Sequence, residues 1–227
     1  MTRIAVVIPV GPEPHHAAYL AEALESVEAQ TRPPDALVIV DDMHGGLKAD
    51  GYETVIVYEP PWHLGVGHAF NAGVAIATSP KAGGCELALM LGADDRLEPR
   101  VLEYVVASYE ANERRDGYYW CDVIYQSGEE QRLACNNAAV TPGFMRATGG
   151  LPVDASSGAM DAALISALLV HRTDLLVHVD GHKDGRFWSR QHAQQETARM
   201  NRYAAANGII RDVFTQHFEA PRWGRYS

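Results

Sequence analysis

The stretch RIAVVIPV, residues 3–10, is a run of aliphatic side chains with no polar alternation. A strand with one wet face alternates apolar and polar residues, whereas one buried on both faces does not, as in a parallel sheet covered by helices. GPEPHH (11–16) breaks the run. Beyond it a helix is predicted, with Leu20, Leu24 and Val27 on one face and Glu22, Glu25 and Glu28 turned outward. TRPP (31–34) ends that helix, and ALVIV (36–40) predicts a second buried strand that stops at Asp41 and Asp42. ETVIVY (53–58) predicts a third strand, LGVGHAFNAGVAIAT (64–78) a helix after a glycine-rich start, and CELALML (85–91) a fourth strand. After Pro99 a further helix turns Val101, Leu102, Val105, Val106 and Tyr109 inward.

Strand and helix therefore alternate through residues 1–115. That predicts an α/β fold with a Rossmann-like, mostly parallel sheet flanked by helices. Ligands of such sheets gather outside the carboxyl ends of the strands. Pro9–Val10, Asp41–Asp42 and Asp94–Asp95 all fall at strand ends, so one rim carries all three groups. The last pair stands out in LMLGADDRLEP (89–99), because packing gives a buried strand no reason to stop at two adjacent carboxylates.

The second half is less regular. YYWCDVIYQ (118–126) and QRLACN (131–136) read as strands across the polar turn SGEE, and GFMRATGGLPVD (143–154) as loop or partial helix. GAMDAALISALLVH (158–171) reads as an apolar helix, LLVHV (175–179) as a strand, DGHKDG (180–185) as a turn and residues 187–207 as a polar helix. Without repeats or a clear linker, residues 1–227 are read as one domain. Its halves are 1–115 and a smaller second part, 116–227.

The 227 residues carry a net charge of −10, which argues against nucleic acid as a partner. Three unpatterned cysteines, Cys85, Cys121 and Cys135, predict reduced, structural thiols. No apolar stretch reaches the length of a membrane span, and a cytoplasmic location is expected. Phosphate-loop, CxxC, HExxH and GxSxG patterns are missing from the sequence. Gly65 and Gly67 begin a dinucleotide fingerprint that Phe70 breaks. Aspartates at strand ends suggest a hard cation, magnesium or manganese, which neutralises the phosphates of a nucleotide. Alone, Asp94–Asp95 also suits a helix cap. His15, His16, His44 and His68 lie near the rim at spacings that match no ligand pattern.

VVIPV (6–10), YLAEALESVEAQTRPPDALVIVDD (19–42), HLGVGHAFNAGVAIA (63–77), LMLGADDRLEPRVLE (89–103), GAMDAALISAL (158–168) and FWSRQH (187–192) occur in one order and spacing. In these pieces the chain resembles the family-2 inverting glycosyltransferases of the GT-A fold. The resemblance is specific in the first half and weak over 118–151. It implies that Pro9 and Val10 lie against the nucleoside and that Asp42 or Asp41 accepts a hydrogen bond from the base. Asp94 matches the last aspartate of the D-x-D motif, a ligand of Mn2+ or Mg2+, with Ala93 beside it at the nucleotide-sugar. Asp161 matches the general base that deprotonates the acceptor hydroxyl. His192 matches a second metal ligand or diphosphate contact, and Arg190 lies near the same phosphates. The implied donor is a nucleotide-diphosphate sugar, UDP-linked by preference, with GDP-mannose as rival. The implied acceptor is a glycan, a lipid-linked sugar or a protein side chain.

The chain departs from that pattern at Gly92, where the first D-x-D aspartate belongs, and at Met160, where a glutamate precedes the base. Gly11, Phe70 and the DDMH turn (41–44) depart as well. Gly92 and Met160 suit an alternative, a catalytically inactive nucleotide- or glycan-binding protein. A sugar nucleotidyltransferase is a third reading, against which the absence of Lys or Arg from GPEPHH counts.

Overall fold

β1 (Ile4–Val10) is buried along its length except at half-buried Pro9, and the fold is assembled on its two faces. The computed structural model describes residues 1–47, 55–80, 84–131, 138–152, 160–181 and 184–191. Chain order continues with α1 (Pro14–Glu28), β2 (Ala36–Asp41), β3 (Val55–Tyr58), α2 (Val66–Thr78), β4 (Leu87–Met90), β5 (Arg96–Leu97) and α3 (Val101–Ala111). Then come β6 (Tyr118–Cys121), β7 (Val123–Tyr125), β8 (Glu130–Gln131), β9 (Ala138–Val140), α4 (Pro142–Thr148), α5 (Met160–His171), β10 (Leu176–Val179) and β11 (Phe187–Ser189).

Seven strands form the main sheet in the order β10-β6-β9-β4-β1-β2-β3. β1, β2, β3 and β4 are parallel, with Val10 opposite Asp41 and Val7 opposite Met90. β9 runs antiparallel between β4 and β6, and β10 is parallel to β6. Successive side chains of a strand point to opposite faces. Ile4, Val6 and Ile8 accordingly pack with Leu20, Val27, Val101, Leu102 and Val105 of α1 and α3. Ala5 and Val7 pack on the other face with Ala69, Phe70, Val74, Phe144, Leu164 and Leu168 of α2, α4 and α5. α2 approaches most closely at Gly73, where a Cβ would collide with Val7 and stand 3.1 Å from Val40.

The mostly parallel sheet with helices on both faces is as expected, and all five inward residues of α3 are buried. Two expectations of the second half are corrected. YYWCDVIYQ is two strands rather than one: β6 stays in the main sheet, and β7 leaves at Asp122 for a four-stranded sheet ordered β5-β11-β7-β8. Residues 187–189 are strand, not helix, because β11 fills the gap between β5 and β7. The partial helix expected within residues 143–154 is α4, its start capped by the Thr141 hydroxyl, which accepts from Phe144 N at 3.1 Å, and its end marked by Gly149 at φ 74°. Of QRLACN only Gln131 is described. No helix among the described residues is long and apolar enough to cross a membrane.

Candidate functional site

Parallel pairing brings the ends of β1, β2 and β4 to one edge, as the register of Val10 with Asp41 shows. Pro9 is half-buried there, while the side chains of Val10 and Ala93 belong to the core. What those two offer a ligand is backbone.

Asp41 and Asp42 are both 2% exposed. Asp41 Oδ1 accepts from Gly45 N at 2.9 Å and Oδ2 from Leu47 N at 3.4 Å, closing the turn after β2. Asp42 Oδ1 accepts from Leu64 N at 2.6 Å and Oδ2 from Gly65 N at 2.8 Å, with His63 Nδ1 3.0 Å from Oδ2. The carboxylate of Asp42 thus holds the start of α2 against the end of β2. Gly65 adopts φ 76° there, a conformation that favours glycine.

Asp94 and Asp95 form the turn after β4. A Cβ on Gly92 would stand 3.0 Å from Asp94 Oδ1 and 3.1 Å from Asp95 Oδ2, so both carboxylates converge over the glycine. Asp95 is held from β11, accepting from Arg190 N at 3.0 Å and from the Ser189 hydroxyl. Burial, then the neighbouring charge of Asp94, pushes the Asp95 carboxyl up to about 7 against those hydrogen bonds. Among the described residues no group of three or more His, Cys, Asp or Glu side chains is arranged to hold a metal ion.

Arg190 is engaged on the protein itself. Its Nε donates to Asp94 O at 3.1 Å, its NH2 group donates to Glu22 at 2.5 Å, and the guanidinium lies 4.1 Å from the Tyr19 ring centre. It clamps the carboxylate turn to α1. Asp161 stands in the first turn of α5. His192 lies outside the described residues.

Two features at this edge had weak sequence signals. Asn71 on α2 donates from Nδ2 to Leu151 O at 3.0 Å and accepts Leu151 N at 2.8 Å, fastening the chain that leads towards α5. His16 and His44 each carry a buried Nδ1 that makes no hydrogen bond. Their positions near the rim were legible, but their spacing matched no motif.

Residues 5–158, more than half of the chain, match the model of glycosyl transferase family 2. The chain belongs to that family. No curated protein sequence matches it. Among solved structures, this family-2 chain is similar to S. aureus TarS 1–349 in complex with UDP-GlcNAc, with a TM-score of 0.67 at 13% identity over 87% of this chain and 61% of that one. It is also similar to TarS 1–349 in complex with UDP, with a TM-score of 0.64 at 12% identity, covering 98% of this chain and 74% of that one. The chain thus spans about three fifths of the first of these structures. At such identities the likeness is one of fold.

Proposed function

We propose that this chain is a metal-dependent, inverting glycosyltransferase that moves a sugar from a nucleotide-diphosphate donor, UDP-linked by preference, to an acceptor hydroxyl. The reading rests on family membership, and the observation that carries it is the Asp94–Asp95 pair converging over Gly92 at the end of β4. The donor preference draws on the fold likeness to a structure complexed with UDP-GlcNAc.

Asp161 is the general base. It takes the proton of the acceptor hydroxyl as that oxygen attacks the anomeric carbon, the bond from that carbon to the diphosphate breaks, and one displacement inverts the centre. Asp94 is the carboxylate ligand for Mn2+ or Mg2+, with His192 proposed as a second ligand. A carboxylate in the turn after a buried strand would suit a hard cation that prefers oxygen ligands. When bound, such an ion neutralises charge on the departing diphosphate. Arg190 and Asp95 fix the turn that presents Asp94, while Asp41 and Asp42 fix the loops around the nucleoside end. The acceptor is a glycan, a lipid-linked sugar or a protein side chain.

Thermal shift with UDP, GDP, CDP and dTDP, each with and without manganese, tests the reading on wild type and Asp94→Ala. A ligand at a hundred times its dissociation constant adds about 2.7 kcal/mol to stability. The expected result is a manganese-dependent shift with one nucleotide, lost in the variant. No shift with any nucleotide refutes the proposal and favours a protein that kept the fold without donor binding.

A further inference from the structure

We propose that Trp120 and His178, with Asp122 as the positioning residue that orients His178, select the acceptor, and that they select a sugar rather than a protein side chain. This rests on the glycosyltransferase reading above and narrows its acceptor class.

β4 and β6 both run antiparallel to β9, so they are parallel to one another and their carboxyl ends share the rim. Leu89 and Tyr119 both pair with Ala139. Three residues further along each strand, Gly92 and Asp122 come level, two strand spacings or about 10 Å apart. β10 lies outside β6 in parallel register, with His178 opposite Trp120. Trp120 packs against the cluster that holds Leu164, Ile165 and Leu168 of α5. The short turn Thr173–Leu175 joins α5 to the start of β10. From their residue counts α5 is about 18 Å long and β10 about 13 Å. The first turn of α5, where Asp161 stands, therefore reaches back to the rim. The proposed base and Trp120 share one face and one end of the sheet.

The chemistry of the cluster suits a sugar. His178 is exposed on β10, and its ring stacks on half-buried Trp120 with centres 4.2 Å and planes 34° apart. Its Nε2 lies 3.0 Å from Asp122 Oδ1. A carboxylate only accepts, so Nε2 donates to it and Nδ1 is left as an acceptor for a ligand hydroxyl. A part-exposed ion pair of this kind adds little to stability, so the fold alone gives weak reason for it. An aromatic surface edged by a few fixed polar groups is the usual make-up of a small-molecule site. A sugar ring matches it, with C–H groups on its face and hydroxyls around its rim. A serine or threonine side chain offers one hydroxyl and no such face.

Ligand-observed NMR titration tests this with the methyl glycosides of glucose, galactose, mannose and N-acetylglucosamine, each at saturating UDP and manganese. GDP replaces UDP if wild type prefers guanine. Wild type is expected to bind at least one glycoside. His178→Ala is expected to weaken it about tenfold, for one lost hydrogen bond, with UDP affinity unchanged. Asp122→Ala also weakens it, and because Asp122 acts through the imidazole the double variant is no weaker than His178→Ala. His178→Gln, which keeps a donor and an acceptor, recovers part of the loss. The octyl glycoside, below its micelle concentration, separates the two sources of a sugar: equal affinity indicates a free glycan and tighter binding a lipid-linked one. Wild-type glycoside affinity in both His178→Ala and Trp120→Ala overturns the proposal. So does binding of UDP without any glycoside, which leaves a protein side chain as acceptor. An equal loss of UDP affinity overturns it as well, by placing these residues on the donor. Absence of nucleotide binding in wild type refutes the glycosyltransferase reading itself, a different result. Unfolding midpoints of the ligand-free variants separate loss of contact from loss of fold, and the His178 variants, at an exposed position, keep the test decisive if Trp120→Ala does not fold.

Discussion

The backbone N–H of Arg190 donates to Asp95 Oδ1 at 3.0 Å, fastening the turn after β4 to the strand that closes the small sheet. Asp94 stands in that turn, so its position depends on a residue far along the chain. Replacing Asp95 by Ala removes the acceptor and is expected to cost about 0.5–1.5 kcal/mol, the range for one intramolecular hydrogen bond. Denaturant unfolding in metal-free buffer measures it.

The same carboxylate sets a pH dependence. Its folded pKa is raised to about 7 by burial and by Asp94, above an ordinary unfolded value of about 3.9. The folded state therefore binds the proton more tightly than the unfolded state. Stability falls as pH rises through the window between those values, and the loss is complete above about 7. With a chelator present, Asp95→Asn should gain on wild type between pH 4 and pH 8 in thermal unfolding midpoint. A constant difference across that range sinks the assignment.

Asp42 is expected to matter for structure before it matters for the ligand. Asp42→Ala leaves the part-buried Leu64 and Gly65 amides without their acceptor and should lower stability by about 1–3 kcal/mol. Amide hydrogen exchange at Leu64 and Gly65 is expected to accelerate in step.

Gly73 marks how near α2 lies to the sheet. Gly73→Ala drives a methyl into Val7, and overpacking of this kind costs about 1–3 kcal/mol despite the better helix propensity of alanine. A stabilised variant in chemical denaturation contradicts the packing.

Asp161→Asn is expected to lower transfer by about 10²–10⁴, the usual worth of a general base, with the donor dissociation constant unchanged. Turnover and donor titration on the same preparation decide it. Wild-type turnover removes Asp161 from the role of base.

The first half of the main sheet was open to reading because β1, β2, β3 and β4 lie in continuous apolar runs and each helix has one apolar stripe, whereas β5, the two residues Arg96–Leu97, gave no such signal. Both periods are local. The second half carried weaker signals: β7, β8, β9 and β11 are two or three residues long, too short for a period, and FWS sits in a polar neighbourhood that also suits a helix. Pairing with β5 and β7 makes it a strand.

The sequence by itself determined that buried strands end at Pro9–Val10 and Asp41–Asp42, and that an aspartate pair, Asp94–Asp95, follows a third. Only the tertiary structure decided what those groups do. Asp41 and Asp42 are occupied by amides from the loops after β2 and β3, and Arg190 is drawn to Glu22 and the Asp94 carbonyl. Strand periodicity is written in neighbouring residues, whereas the partner of a carboxylate is set by contacts between residues as much as 168 positions apart, which no local pattern records.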